Sequence, residues 1–358
     1  MRALIVGAGV AGLAVGWKLA RAGVDVTVLE RARPARAATW AAAGMISPTA
    51  ESAQAREAER QFARWSADLW PEFAAEVEQS SGAAIGYRRD GALIVALTQE
   101  EARAMSGRGA MLSAAETRSR QPMLREDVAG ALWDAGEAQV DNRALGTALA
   151  TAFVRAGGKL RVNEAAVSVE TSDGALKVRT PFALHAADKV LVAAGAWSAE
   201  IELPERATPP VHPVKGEMIA LSPSQGAALP DQVIWGNGVY LVPRNGRLLV
   251  GATVEEVGFD TALTDKGGHW LRDHAVALMP SLAEWKVVEH WAGLRPATPD
   301  GMPILGETAV KNLFVAAGQY RNGILFAPSI AETMSRLVLG AAAPEIRAFS
   351  PQRFRQTP

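Results

Sequence analysis

The residues best equipped for chemistry stand near the start of the chain. GAGVAG, Gly7 to Gly12, places glycines at its first, third and sixth positions, a spacing that lets backbone N–H groups close on an anion. Gly7 permits a tight turn, Gly9 lets the backbone approach a pyrophosphate, and Gly12 allows close helix–strand packing. Eighteen residues beyond Gly12 stands Glu30, a carboxylate suited to the hydroxyls of an adenosine ribose and hostile to a 2′-phosphate. Together these residues read as the site of an adenine dinucleotide. They leave open whether it is NAD or FAD.

Other reactive residue types are sparse. The 358 residues include no cysteine, which removes disulfides, thiolate metal sites, a cysteine nucleophile and a sulfur-linked cofactor. Five histidines, His185, His212, His269, His274 and His290, show no paired metal spacing and read as structural or solvated, so no metal site is expected. Lys215 has the chemistry of a Schiff-base lysine, but Glu217 two residues on along a strand makes a structural role the better reading. Arg31, Arg33 and Arg36 form a basic loop that fits either pyrophosphate neutralisation or a solvated surface.

Regular elements must position these groups. Ala3 to Val6 is a short apolar strand, Leu13 to Ala22 has helical spacing closed by Gly23, and Val24 to Leu29 is β-branched and apolar, which gives strand, turn, helix, strand. Glu51 to Gln79 reads as a polar helix whose Phe62, Trp65, Leu69, Phe73 and Val77 face a core. Ala92 to Leu97, Val211 to Leu221, Gly238 to Val242 and Leu248 to Ala252 alternate in polarity, with turn signals such as Asn245-Gly246 between them, and predict antiparallel sheet. Asn142 to Ala156 reads as a helix, while Val167 to Glu170, Lys177 to Thr180 and Lys189 to Ala193 read as strands rejoining the first architecture.

The fold class is therefore α/β: a Rossmann-like dinucleotide-binding domain with a second α+β substrate domain built on an antiparallel sheet. The first is expected over residues 1–82, 140–210 and 290–358, the second over 83–139 and 211–289. The strand–glycine pattern recurs far away, at Leu191 to Trp197 and Leu313 to Gly323. Such scatter favours FAD, an extended cofactor that touches distant segments.

Composition narrows the setting. With 49% hydrophobic and 21% charged residues and a net charge of -1, nothing points to nucleic acid or a membrane surface. The apolar start carries patterned glycines and Lys18, unlike a signal peptide, and no long uncharged apolar run predicts a membrane span. A cytoplasmic, homo-oligomeric enzyme is expected.

Longer motifs add a likeness. TWAAAGM (Thr39 to Met45), KGE (Lys215 to Glu217), YLVPR (Tyr240 to Arg244), VGAT (Val250 to Thr253), WAGLRPATPDGMPILG (Trp291 to Gly306) and AAGQYRNGILFAP (Ala316 to Pro328) resemble the D-amino-acid oxidase superfamily, and within it the glycine oxidases of thiazole biosynthesis. The resemblance runs in order over nearly the whole chain. It implies a noncovalent FAD and oxidation of glycine or a related small amine, such as sarcosine or a D-amino acid. Hydride would pass from the α-carbon to flavin N5, and the imine would give an oxo acid and ammonia. O2 would reoxidise the flavin to yield hydrogen peroxide.

Residue by residue, the resemblance adds Val10, Ala11 and Arg31 to Gly7, Gly9, Gly12 and Glu30 around the ADP part. It lays Thr39, Ala43, Gly44 and Met45 along the cofactor with Gly195 and Trp197, and brings the Val167 backbone to the adenine. Gly318, Gln319, Tyr320, Arg321, Asn322, Gly323 and Ile324 would wrap the flavin ring. Arg295, Arg321 and Tyr240 match the family's substrate positions. An arginine fork suits a carboxylate in a way lysine does not, and Arg295, followed by Pro296, is expected in a glycine-bearing turn inside a cleft. Arg321 to Gly323 are expected to open a helix whose N-terminus stabilises charge on the reduced ring. Gln319 stands where many members have histidine and Val254 where methionine is common, so both are expected to reshape the substrate pocket. No catalytic base is required, because the amine can lose its proton to water. A dehydrogenase using another acceptor and a flavin-binding scaffold remain as alternatives.

Overall fold

A strand that is apolar at every position can be buried on both faces, as parallel sheets require. The first strand behaves this way. A computed structural model of the chain describes residues 1–51, 55–172, 175–204 and 207–354, and in it the strand Arg2–Val6 turns Ala3 and Ile5 toward a layer of helices and Leu4 and Val6 toward the opposite layer. It is central in a six-stranded sheet ordered Ile304–Glu307, Leu313–Ala317, Lys189–Val192, Arg2–Val6, Asp25–Glu30, Lys159–Val162. All pairings are parallel except that of Ile304–Glu307, which closes one edge antiparallel.

Helices Val10–Arg21, Glu57–Ser81, Asn142–Arg155 and Ala327–Val338 cover one face. A three-stranded antiparallel sheet, Ser168–Ser172, Ala175–Arg179 and Leu184–Ala187, covers the other. This corrects the sequence reading of residues 167–180, which do not rejoin the parallel sheet. The buried apolar side chains there, Val169, Leu176 and Val178, point to one face, the mark of a one-sided antiparallel layer; Lys189–Val192 alone returns to the parallel sheet.

The second sheet has eight strands, ordered Lys286–Ala297, His212–Ser222, Arg247–Gly251, Val239–Arg244, Val233–Gly236, Ala92–Ala96, Gly130–Asp134, Ala110–Ser113. Its period-2 alternation sorts side chains by face. Leu241, Val250 and Ile219 pack toward the helix Asp265–Leu278, whereas Tyr240, Val242, Met218 and Trp291 form the opposite face. Asn245 and Gly246, at φ 50° and 75°, make the tight hairpin their types predict. Lys286–Ala297 pairs along its length with His212–Ser222, so the eight-stranded sheet continues past residue 290.

One long helix begins later than the sequence suggests. Glu57, not Glu51, opens the helix that ends at Ser81; Glu51 lies in a turn, and residues 52–54 fall outside the described residues. Among the described residues no helix is long and apolar enough to cross a membrane.

Candidate active site

Between the two sheets runs a long cavity of about 370 Å³, the size of a small-molecule or cofactor site. Of the residues singled out for cofactor or substrate, all but Gly12, Val167 and Gly318 lie on its wall. These three have other tasks. A Cβ at Gly12 would strike the Gly7 carbonyl, and one at Gly318 would strike Thr298. The Val167 N–H donates to the Arg179 carbonyl at 2.8 Å and its carbonyl accepts from Glu202 at 3.1 Å; Ala165 and Ala166 reach the cavity instead.

At one end stands the N-terminus of Val10–Arg21. Gly7 takes φ 103° and a side chain there would meet the Ala193 carbonyl, whereas a Cβ at Gly9 would meet only Thr39 Oγ1, at 3.6 Å. Gly9 therefore leaves the helix end open toward the cavity. The N-cap, Gly9, brings no side chain and the first turn holds no acidic residue; apart from the Val10 N–H, which Thr39 takes, its positive end is left for an anion. The Glu30 carboxylate accepts from the Ala8 N–H at 2.9 Å and the Ala32 N–H at 3.0 Å and retains lone pairs for further donors. Arg31 lies over the Trp197 ring, 3.3 Å from its centroid.

The middle of the cavity is walled by the segment from Thr39 to Met45. Thr39 Oγ1 accepts from the Val10 N–H at 3.0 Å. Distant side chains hold the segment's carbonyls: Asn142 donates to Thr39 and Trp40 at 2.8 and 2.9 Å, Trp291 to Ala41 at 2.9 Å, and Arg244 to Ala43 at 2.7 Å. Burial lowers the Arg244 guanidinium to about 10, and its bonds to Ala43 and to Asn142 Oδ1 at 3.1 Å compensate that burial. Asn142, Arg244 and Trp291 were not singled out in the sequence, although two of them fall inside the YLVPR and WAGLRP motifs.

Gln319 to Ile324 form the next stretch of wall. They turn rather than open a helix: Phe326 is the N-cap and the helix starts at Ala327. Tyr320 adopts φ 47° and its N–H donates to the Pro296 carbonyl at 2.9 Å, tying this turn to the strand that carries Arg295. Gln319 Nε2 and Asn322 Oδ1 are buried without partners. Buried polar atoms are rarely left unpaired. A ring offering both an acceptor and a donor, as the flavin pyrimidine does, satisfies both, and the open helix end satisfies the pyrophosphate; these residues fit FAD.

Arg295 and Tyr240 lie on two strands of the eight-stranded sheet that are separated by His212–Ser222 and Arg247–Gly251. Arg295 sits within its strand, near the end and opposite Val214, not in a turn. It lies over Gly216, and Tyr240 lies over Gly251; a Cβ at either glycine would occupy the place of the ring or guanidinium. Only a bare backbone lets these side chains lie flat there, and neither glycine was singled out in the sequence. Arg295 Nη1 donates to the Lys215 and Thr253 carbonyls at 3.2 and 3.0 Å, which fixes the fork without neutralising it. Burial raises the Tyr240 phenol, with the nearby Arg295 and Arg321 opposing, so it stays protonated and able to donate.

Arg321 faces a group the sequence reading placed in a helix: Glu51 Oε2, 3.1 Å from its Nε. Burial raises the Glu51 carboxyl while Arg321 and Arg295 pull it down. Lys215 points elsewhere, bonded to Glu217 at 2.8 Å and buried with it. Val254 is 55% exposed and absent from the cavity wall. The reciprocal backbone bonds of Glu255 with Lys215, at 2.9 and 3.0 Å, turn that loop outward, so Val254 does not shape the pocket. None of the five histidines lines the cavity.

A family of FAD dependent oxidoreductases matches residues 2–337. The chain is 39% identical to a bifunctional ThiO/ThiG protein of Synechocystis over 99% of its own length and 54% of that protein's. It therefore spans about half the length of such relatives. A glycine oxidase of Pseudomonas aeruginosa is 33% identical over 95% of each chain. The crystal structure of glycine oxidase from Geobacillus kaustophilus superposes with a TM-score of 0.93 at 32% identity, covering 99% of this chain and 100% of that one. The cavity with its dinucleotide end and these full-length likenesses agree, and the chain belongs to the FAD dependent oxidoreductase family of the D-amino-acid oxidases.

Proposed function

We propose that the chain oxidises glycine, or a related small amine bearing one carboxylate such as sarcosine or a D-amino acid. The overall reaction, glycine with O2 and water to glyoxylate, ammonia and hydrogen peroxide, balances in atoms and electrons. Bound FAD supplies the two-electron acceptor. Its two ends would lie at the helix N-terminus with Glu30 and at the Gln319–Ile324 turn.

The observation that carries the reading is Arg295, fixed over Gly216 by two backbone carbonyls and unpaired with any acid among the described residues. A fixed fork binds a carboxylate bidentately, and the Tyr240 hydroxyl adds a donor on the same face. Holding the carboxylate orients the α-carbon, which is the protein's main contribution when a cofactor carries the chemistry. Among the described residues on the cavity wall there is no histidine, and the Glu51 carboxylate is held by Arg321, so the amine proton leaves to water. The likeness to glycine oxidases and ThiO/ThiG proteins supports a place in forming the thiazole of thiamine. The chain divides on this reading into an FAD part, 1–82, 140–210 and 298–358, and a substrate part, with the last boundary moved to the end of the strand bearing Arg295.

Anaerobic addition of glycine to the yellow holoenzyme should bleach the flavin band, and air should then restore it with release of peroxide. Absence of bleaching with glycine, sarcosine and D-alanine alike would sink the proposal. Bleaching without peroxide in air would replace O2 by another acceptor.

A further inference from the structure

Glu51 has no task in the reaction above, yet it is placed with care. Its side chain is 9% exposed, it lies on the cavity wall, and its Oε2 is 3.1 Å from Arg321 Nε. The turn that carries it is pinned from both sides. The Glu51 N–H donates to the Ser47 carbonyl at 3.3 Å, and the Thr49 and Ala50 N–H groups both donate to Oε1 of the buried Glu137 at 3.0 Å.

The charges facing the substrate end can be counted. Arg295 and Arg321 are two cations and Glu51 is one anion. Arg295 leans on uncharged partners, two carbonyls and the Tyr240 hydroxyl, whereas Arg321 is in direct contact with Glu51. One positive charge is thus left for a ligand, and it belongs to Arg295. In a site shielded from water each further charge counts heavily, because the effective dielectric is low.

We propose that Glu51 is a specificity-determining residue: by occupying Arg321 and presenting its own carboxylate, it restricts the site to amines with one carboxylate and rejects those carrying a second. This rests on the substrate class proposed above. A purely structural ion pair would support stability without setting a preference among anions.

The test uses the FAD-loaded enzyme and two unreactive ligands, acetate and malonate, titrated by the perturbation of the flavin spectrum. The native enzyme should bind malonate no more tightly than acetate. In Glu51→Gln and Glu51→Ala, the malonate-to-acetate affinity ratio should rise about tenfold or more as Arg321 becomes free for the second carboxylate. Glu51→Asp, which keeps the charge, should retain the native ratio. With turnover as a second readout, kcat/KM for iminodiacetate relative to sarcosine, which differ by one carboxylate, should rise in the same two variants. Ratios unchanged in Gln and Ala, a native enzyme that already prefers malonate tenfold, or no binding of either anion by any form would overturn the proposal. If the Gln variant does not fold, the Ala and Asp pair decides. The titration needs no turnover, so failure of glycine to reduce the native flavin would sink the proposed reaction and leave this result readable.

Discussion

The two ends of the cavity are built in opposite ways. At the end proposed for the dinucleotide, Gly7, Gly9 and Gly12 lie within six residues of one another, and the backbone itself would do the binding, with Glu30 a strand away. At the substrate end, Glu51, Tyr240, Arg295 and Arg321 come from four separate stretches spread over most of the chain. The first end is a local structure that tolerates no added atoms at Gly7 or Gly12; the second is an arrangement of charges that depends on what neighbours each one. Damage at the first should remove the cofactor, and damage at the second should leave the cofactor bound and spoil only the response to substrate.

The strongest test of that contrast is Gly12→Val. Its side chain would collide with the Gly7 carbonyl, and an overpacking cost of roughly 3 kcal/mol weakens FAD binding by about a hundredfold or more. Flavin content of the purified protein and Kd from flavin fluorescence check it; normal retention would break the contrast. Arg295→Ala comes next. FAD content should be unchanged, while kcat/KM for glycine falls roughly 10²- to 10³-fold, as expected for losing a charged, bidentate contact worth about 3–4 kcal/mol. Loss of FAD in this variant would show that the two ends are not separable.

Tyr240→Phe should cost less, about tenfold in kcat/KM from roughly 1–1.5 kcal/mol for one hydrogen bond, again with FAD retained. The last test reads stability rather than binding or turnover and concerns Glu137, beneath the turn carrying Glu51. Burial raises its carboxyl from 4.5 to about 7, so between these values the folded state holds a proton that the unfolded chain has released. Its contribution to stability is therefore present in full below pH 4.5 and lost as pH rises toward about 7. Denaturant unfolding of the holoenzyme at pH 5 and pH 8 should show this decline, on the order of 3 kcal/mol at most, and Glu137→Gln should remove it. An identical pH dependence in the variant would place the raised carboxyl elsewhere.

Much of the dinucleotide end was legible because local spacing encodes it. A strand buried on both faces, a glycine turn and a helix closed by Gly23 need no distant residue to be recognised, and the observed strand and helix limits lie within a few residues of those expected. The substrate end was legible only by type. Arg295 was read into a turn because Gly293 and Pro296 flank it, yet the strand opposite supplies the pairing that keeps it extended. Arg321 was read as opening a helix that in fact begins at Ala327. Residues 167–180 were assigned to the wrong sheet, since a period of two identifies a strand but not its neighbours.

The sequence by itself determined that a parallel-sheet unit suited to an adenine dinucleotide would form, that a largely antiparallel sheet would follow, with one parallel pairing, Ala92–Ala96 to Val233–Gly236, that it did not foretell, and which arginines and tyrosine were available. These properties rest on near-neighbour spacing and on the preferences of single residues. Tertiary structure alone decided that Gly216 and Gly251 clear the space for Arg295 and Tyr240, that Asn142, Arg244 and Trp291 hold the wall from Thr39 to Met45, and that Glu51 meets Arg321. Apart from Gly251 and Tyr240, which share a hairpin, each of these is a contact between residues dozens to hundreds of positions apart. Whether a charge is free or cancelled depends on such contacts, and no pattern along the chain records it.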